Sequence, residues 1–224
     1  MTEAGALSAW AVVIALGAFH GANPSMGWLF AVSNGMFARR ASAVFAALPP
    51  IAFGHLFAMA LVLLPVAAIS TLATAFTPVR TGAAVAIIAV GVYRLFVRRH
   101  PRILSRIGAG NLMLWSFVMA TAHGAALMLV PVYFGMASMP KGLMSSTIGG
   151  DHSAHLTVVA SAGHGLGLAA EVAVVHTIAM LVVAAAIAWV VYRFVGVSLL
   201  HQMWFNVDVV WAIALIAAGI ITIV

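Results

Sequence analysis

Between Ala6 and Val224 the chain is almost entirely a succession of apolar runs. They lie at about Ala6 to Phe37, Ala43 to Ser70, Thr81 to Val97, Asn111 to Met136, Leu156 to Val195 and Asn206 to Val224. Hydrocarbon offers a backbone amide no partner, so such runs must close their hydrogen bonds internally, and at roughly 20 residues or more they do so as helices. The fold expected is all-α: a single integral membrane domain over residues 1–224 with about six transmembrane helices. Only 6% of the 224 residues are charged against 65% hydrophobic, which removes the polar face a soluble helix needs. The first and fifth runs exceed one span, so tilt, a break or a re-entrant piece must absorb the excess. Asn23-Pro24 interrupts the first run, Pro49-Pro50 and Pro65 the second, and Gly163, Gly165 and Gly167 the fifth.

The net charge of +6 is a matter of topology rather than of nucleic acid, because the basic residues fall between apolar runs and no basic patch is interleaved with aromatics. With the N-terminus outside, Arg39, Arg40, Arg94, Arg98, Arg99, Arg102, Arg106 and Arg193 all lie on the cytoplasmic side, leaving Arg80 and Lys141 outside. That orientation suits a bacterial inner membrane. It makes residues 137–155 an outer loop and puts the C-terminus outside too. Tyr93-Arg94 and Tyr192-Arg193 read as interfacial anchors. The chain has no cysteine, which excludes disulfides, thiolate ligands and cysteine nucleophiles. Glu3 and the lack of a basic start argue that the N-terminal run is retained rather than cleaved. No His-Glu-x-x-His or Gly-x-Ser-x-Gly occurs, so a transporter is expected before an enzyme.

The two halves resemble one another. Ala18 to Ala22 (AFHGA) parallels Thr121 to Ala125 (TAHGA), His55 to Met59 (HLFAM) parallels His176 to Met180 (HTIAM), and Ala84 to Gly91 parallels Ala212 to Gly219, always in the same order. Repeat one would cover about 6–98 and repeat two about 111–224. Three helices per repeat is an odd number, so the second repeat would enter the membrane from the opposite side, giving an inverted 3+3 architecture with its site near mid-membrane. Alanine- and valine-rich helices match readily by chance; the histidines lift the pattern above that.

His20, His55, His123 and His176 each fall well inside an apolar run, where an imidazole needs a polar partner and where ionisable residues mark function. The plain alternative is that each bonds a carbonyl across a helix contact. His55 with Met59 and His176 with Met180 are spaced so that imidazole and thioether share a helix face, and Asn23 shares one with His20 unless Pro24 ends the helix. Imidazole suits nickel, cobalt or copper, and thioether favours Cu(I), although methionine is also ordinary packing material. Two such histidines would equally serve a membrane redox subunit as axial ligands of a b-type haem. Glu171 is open to two readings, a relay group behind His176 or an interfacial charge. Asp151, His152 and His155, with His164 nearby, form a polar cluster that is either a metal-collecting vestibule or a solvated loop.

Phe19-His20-Gly21-Ala22-Asn23-Pro24-Ser25-Met26, followed on the next helix by Phe53-Gly54-His55 with Arg39-Arg40 between, resembles the nickel/cobalt transporter superfamily, which includes small urease- and hydrogenase-accessory permeases. The resemblance covers about residues 10–65. It implies a helical permease in which His20 and His55 bind metal. The family motif carries two aspartates and a second histidine where this chain has Asn23, Ser25 and Met26. Losing both acids shifts the expectation toward a softer monovalent ion or a non-metal substrate, since a dication in lipid needs compensating charge. The candidate metal set is therefore His20, Asn23, Met26, His55, Met59, His123, His176 and Met180. The expected partners are the bilayer, a transition-metal ion or other small substrate, and a possible second copy of the chain.

Overall fold

The computed structural model describes residues 3–72, 108–137 and 151–195, together with isolated helical positions between 82 and 93 and between 213 and 220. Its helices are α1 (Glu3–Ala22), a 3-10 turn (Pro24–Met26), α2 (Trp28–Ala38), α3 (Ala41–Leu72), α4 (Ala109–Ala122), α5 (Ala125–Ala137) and α6 (Asp151–Val190), which runs on into a π-helical turn (Val191–Val195). No strand occurs among the described residues. α3 and α6 are long and apolar enough to cross a membrane, over 41–69 and 163–194, and α4 with α5 makes a third span if the pair, bent by 60°, is counted as one. The third and sixth apolar runs, and with them the Ala84 to Gly91 and Ala212 to Gly219 match, lie largely outside the described residues.

Three expectations are corrected. Pro49, Pro50 and Pro65 do not interrupt the second run: α3 passes through all three. In apolar surroundings a helix keeps such prolines, because a backbone with no water to bond gains nothing by unwinding. Gly163, Gly165 and Gly167 do not break the fifth run either; α6 is continuous for 40 residues, about 60 Å. The outer loop is shorter than 137–155, because α5 extends through Ala137 and α6 begins at Asp151. The break at Asn23-Pro24 is present.

Close helix contacts rest on glycine. A Cβ on Gly17 would run into the His176 carbonyl, and one on Gly21 into the Met180 carbonyl, so this i, i+4 glycine pair lets α1 lie against the backbone of α6. Gly54 does the same for α3 against Met113 of α4. Thus α1 packs on α6 as α4 packs on α3.

Two apolar clusters result. One joins Val13, Ala58 to Ala67, Ala120 to Met136 and Ala169 to Ala173. The other joins Trp28 to Val32, Val44 to Ile51, Leu112 and Met180 to Ala188. Arg39 shares a surface pocket with Tyr192 and Arg193, and Arg40 shares the next one with Gly108 and Ala109. The end of α2, the starts of α3 and α4 and the end of α6 therefore gather at one pole. Outside, Phe53, Phe57 and Leu61 on α3 and Val174, Ile178 and Val182 on α6 stand exposed. Polar groups inside and an apolar rim outside reverse the arrangement water would select.

Candidate functional site: a buried histidine layer

His55 lies on α3 between Ile51 of one apolar cluster and Ala58 of the other, and His176 lies on α6 between Ala173 and Met180 in the same way. His20, in the last turn of α1, occupies the same level between Val13 and Trp28. All three imidazoles have no exposed surface. Their ring centres form a triangle with sides of 4.8 Å (His20 to His176), 5.5 Å (His55 to His176) and 5.6 Å (His20 to His55). The glycines set this distance. Gly17 and Gly21 flank His20 and bring α1 onto the stretch of α6 that carries His176.

The tautomer of His20 follows from its partner. Nδ1 lies 2.8 Å from the Leu16 carbonyl, which can only accept, so Nδ1 carries the proton and Nε2 the lone pair. Both ring nitrogens of His55 and of His176 are buried without a hydrogen-bond partner. His176 comes up to the Val13 carbonyl but closes no hydrogen bond on it. Buried imidazoles left in this state cost stability, and such groups in a folded protein call for an explanation.

His123 stands beside the triangle. It caps α4, and its Nδ1 donates to the Met119 carbonyl at 2.8 Å, repeating the bond His20 makes one helix turn back. Its Nε2 is 3.5 Å from the Ser25 hydroxyl, which in turn donates to Asn23 Oδ1 at 2.8 Å. Asn23 does not share a helix face with His20. α1 ends at Ala22, and Asn23 caps the 3-10 turn by accepting from the Ser25 amide at 3.0 Å. Two indoles satisfy carbonyls freed by this break, Trp28 at Ala22 (3.3 Å) and Trp115 at Ser25 (3.0 Å).

Met26, Met59 and Met180 are all buried; Met59 packs in the first apolar cluster and Met180 in the second. Glu171 and His164 are exposed on α6. Asp151, His152 and His155 belong to the first turns of α6 rather than to a loop, and their side chains lie outside the described residues. Sequence reasoning missed Ser25, Trp115 and Ser116, a buried hydroxyl on α4 without a hydrogen-bond partner. The Gly17/Gly21 spacing was a usable signal for the close helix contact; nothing in sequence marks Trp115 as a partner for a carbonyl 90 positions away.

Chemically, the layer is a cluster of neutral donors. The buried polar residues among those described are histidine, asparagine, serine and threonine, with no carboxylate. No group of three His, Asp or Glu among the described residues is set as it would be around a bound metal ion. The ring centres nevertheless have the right spacing. A nitrogen about 2.0–2.1 Å from a metal puts its ring centre about 3.2 Å away, and three such rings at tetrahedral angles have centres about 5.2 Å apart.

No family model, curated protein or solved structure matches the chain.

Proposed function

We propose that this chain is a membrane transporter of a transition-metal ion, built from two three-helix repeats of opposite orientation that share a histidine site near mid-membrane. The observation that carries this reading is the triangle of His20, His55 and His176, buried between two apolar clusters. Support for the repeat comes from matched local structure. In each half a His-Gly pair lies within three residues of a helix end, a short apolar helix follows, and a long helix carries His-x-x-x-Met. α3 leaves the basic pole and α6 arrives at it, as opposite orientation requires. With arginines at that pole, the positive-inside rule makes it the cytoplasmic face of a bacterial inner membrane.

The apolar clusters above and below the layer would keep water from the site in this state, and ion entry would require one of them to part. In a metal-bound state His20 would offer Nε2, which keeps its lone pair while Nδ1 stays on the Leu16 carbonyl, beside the imidazoles of His55 and His176. An imidazole set without an anionic ligand suits an ion of low charge such as Cu(I) better than a dication, whose burial without compensating charge is costly. Two imidazoles on opposite faces of a haem iron would stand about 6.3 Å apart between centres, farther than any pair here, so haem ligation has less support.

The test is metal binding by the purified protein, with Cu(I), Ni(II) and Co(II) offered separately and bound metal counted by elemental analysis. Near-stoichiometric uptake of one of them is expected, lost in His55→Ala and in His176→Ala. Uptake unchanged in both variants would overturn the site, and a Soret band in the visible spectrum would move the reading to haem.

A further inference from the structure

At the basic pole, a surface pocket of about 370 Å³ is lined by Met36, Arg39, Tyr192 and Arg193. We propose that this pocket is a binding site for a phosphate group, carried by an anionic phospholipid of the cytoplasmic leaflet or by a soluble phosphate. Two local departures from regular structure meet there. Arg39 closes α2 in the left-handed conformation at φ 52°, the one non-glycine residue with positive φ among those described. That geometry costs an arginine roughly 1–2 kcal/mol that a glycine would not incur, and strain of this kind collects where a side chain is being aimed. α6 ends in a π-helical turn, Val191–Val195, which carries the neighbouring residues Tyr192 and Arg193 into the lining of one pocket. Gly35 lies close to the same ring: a Cβ there would come within 3.1 Å of Tyr192, with the Val44 side chain nearer still.

The chemistry fits an oxyanion. Two guanidiniums and a phenol line it, planar donors that match phosphate oxygens, and the Arg193 guanidinium lies 5.9 Å from the centre of the Phe194 ring. Counter-charge from the described residues is distant. Glu171 precedes Arg193 by about 33 Å of helix, Glu3 and Asp151 begin α1 and α6, and Asp208 lies outside the described residues. The neighbouring pocket contains Arg40 as its single charged residue and supplies an internal control. The proposal stands whether or not the histidine layer carries metal.

The experiment is native mass spectrometry of the full-length protein in detergent, with phosphatidylglycerol, phosphatidylcholine or inorganic phosphate added. One phosphatidylglycerol is expected to be held in preference to phosphatidylcholine. Arg39→Gly, which the backbone angle favours, and Arg193→Gln should each weaken its retention by about tenfold, and Arg40→Gln by about twofold or less. If inorganic phosphate displaces the lipid with the same dependence on Arg39 and Arg193, the site stands and its ligand is a soluble oxyanion. Retention equal to the parent in Arg39→Gly and Arg193→Gln, or lost as fully in Arg40→Gln, overturns the proposal.

Discussion

The same dipeptide, His-Gly, stands at both helix breaks, and the chain uses it differently in each. At the first, His20 and Gly21 are still helical, and the break comes two residues later as a 3-10 turn capped by Asn23 and closed by Gly27 at φ 114°. At the second, the helix ends on His123 itself and Gly124 turns the chain at φ 67°. That short offset decides where each imidazole goes. His20 remains on the face of α1 that meets α3 and α6 and joins the triangle, whereas His123 is turned toward Ser25. Residues that match in sequence between the two halves need not share a job. Backbone breaks placed three residues apart in the matched stretches separate them.

The sharpest way to break this comparison is to remove each histidine in turn. His20→Ala is expected to lower metal affinity by at least about a hundredfold, since it deletes a donor, whereas His123→Ala, one shell removed, should lower it by about tenfold. Isothermal titration of the purified variants checks this. Equal losses would mean that His123 is a ligand and that the two halves are functionally equivalent after all.

The glycines carry the next largest effect. Gly21→Ala drives a methyl into the Met180 carbonyl, and Gly124→Ala places a side chain at positive φ, so each should destabilise the protein by roughly 1–3 kcal/mol. Asparagine separates the causes. It tolerates the left-handed region, so Gly124→Asn should recover most of the loss, while Gly21→Asn should be worse than alanine. Gly135→Ala, with open space around it, is the neutral reference. Thermal unfolding in detergent reads all five, and rescue at both positions would erase the distinction between the breaks.

How much of this was legible in the sequence depends on the kind of force involved. Helices, their apolar character and the buried level of His20, His55, His123 and His176 follow from hydropathy alone, because in an apolar chain the rare polar residues have few places to go. The division of those four into a triangle and a neighbour was not legible, since it turns on the residue at which α1 and α4 each stop. The proline and glycine signals misled for a related reason. Pro49, Pro50, Pro65 and the Gly163 to Gly167 stretch look like breaks by local propensity, but α3 and α6 run on through them, as a backbone in apolar surroundings does when its amides have no other partner. At Asn23-Pro24 local and tertiary preferences agree, because Asn23 caps the turn while Trp28 and Trp115 take up its carbonyls.

That last agreement gives the smallest and most local test. Trp115→Phe keeps the ring that packs edge-on against Phe30 at 5.0 Å and removes the N–H bonded to the Ser25 carbonyl. An unpaired carbonyl at this break should cost about 1 kcal/mol, visible as a small drop in unfolding temperature. Both breaks close backbone bonds of their own, Asn23 to His20 and Gly27 to Pro24 at the first, His123 to Met119 and Gly124 to Thr121 at the second. The first break adds the two indoles of Trp28 and Trp115. Trp115→Phe should therefore also reduce metal affinity by a few-fold, by loosening the turn that positions His20 and Ser25. A variant that loses stability but binds metal as the parent does would uncouple the break from the triangle and leave Trp115 a purely structural clamp.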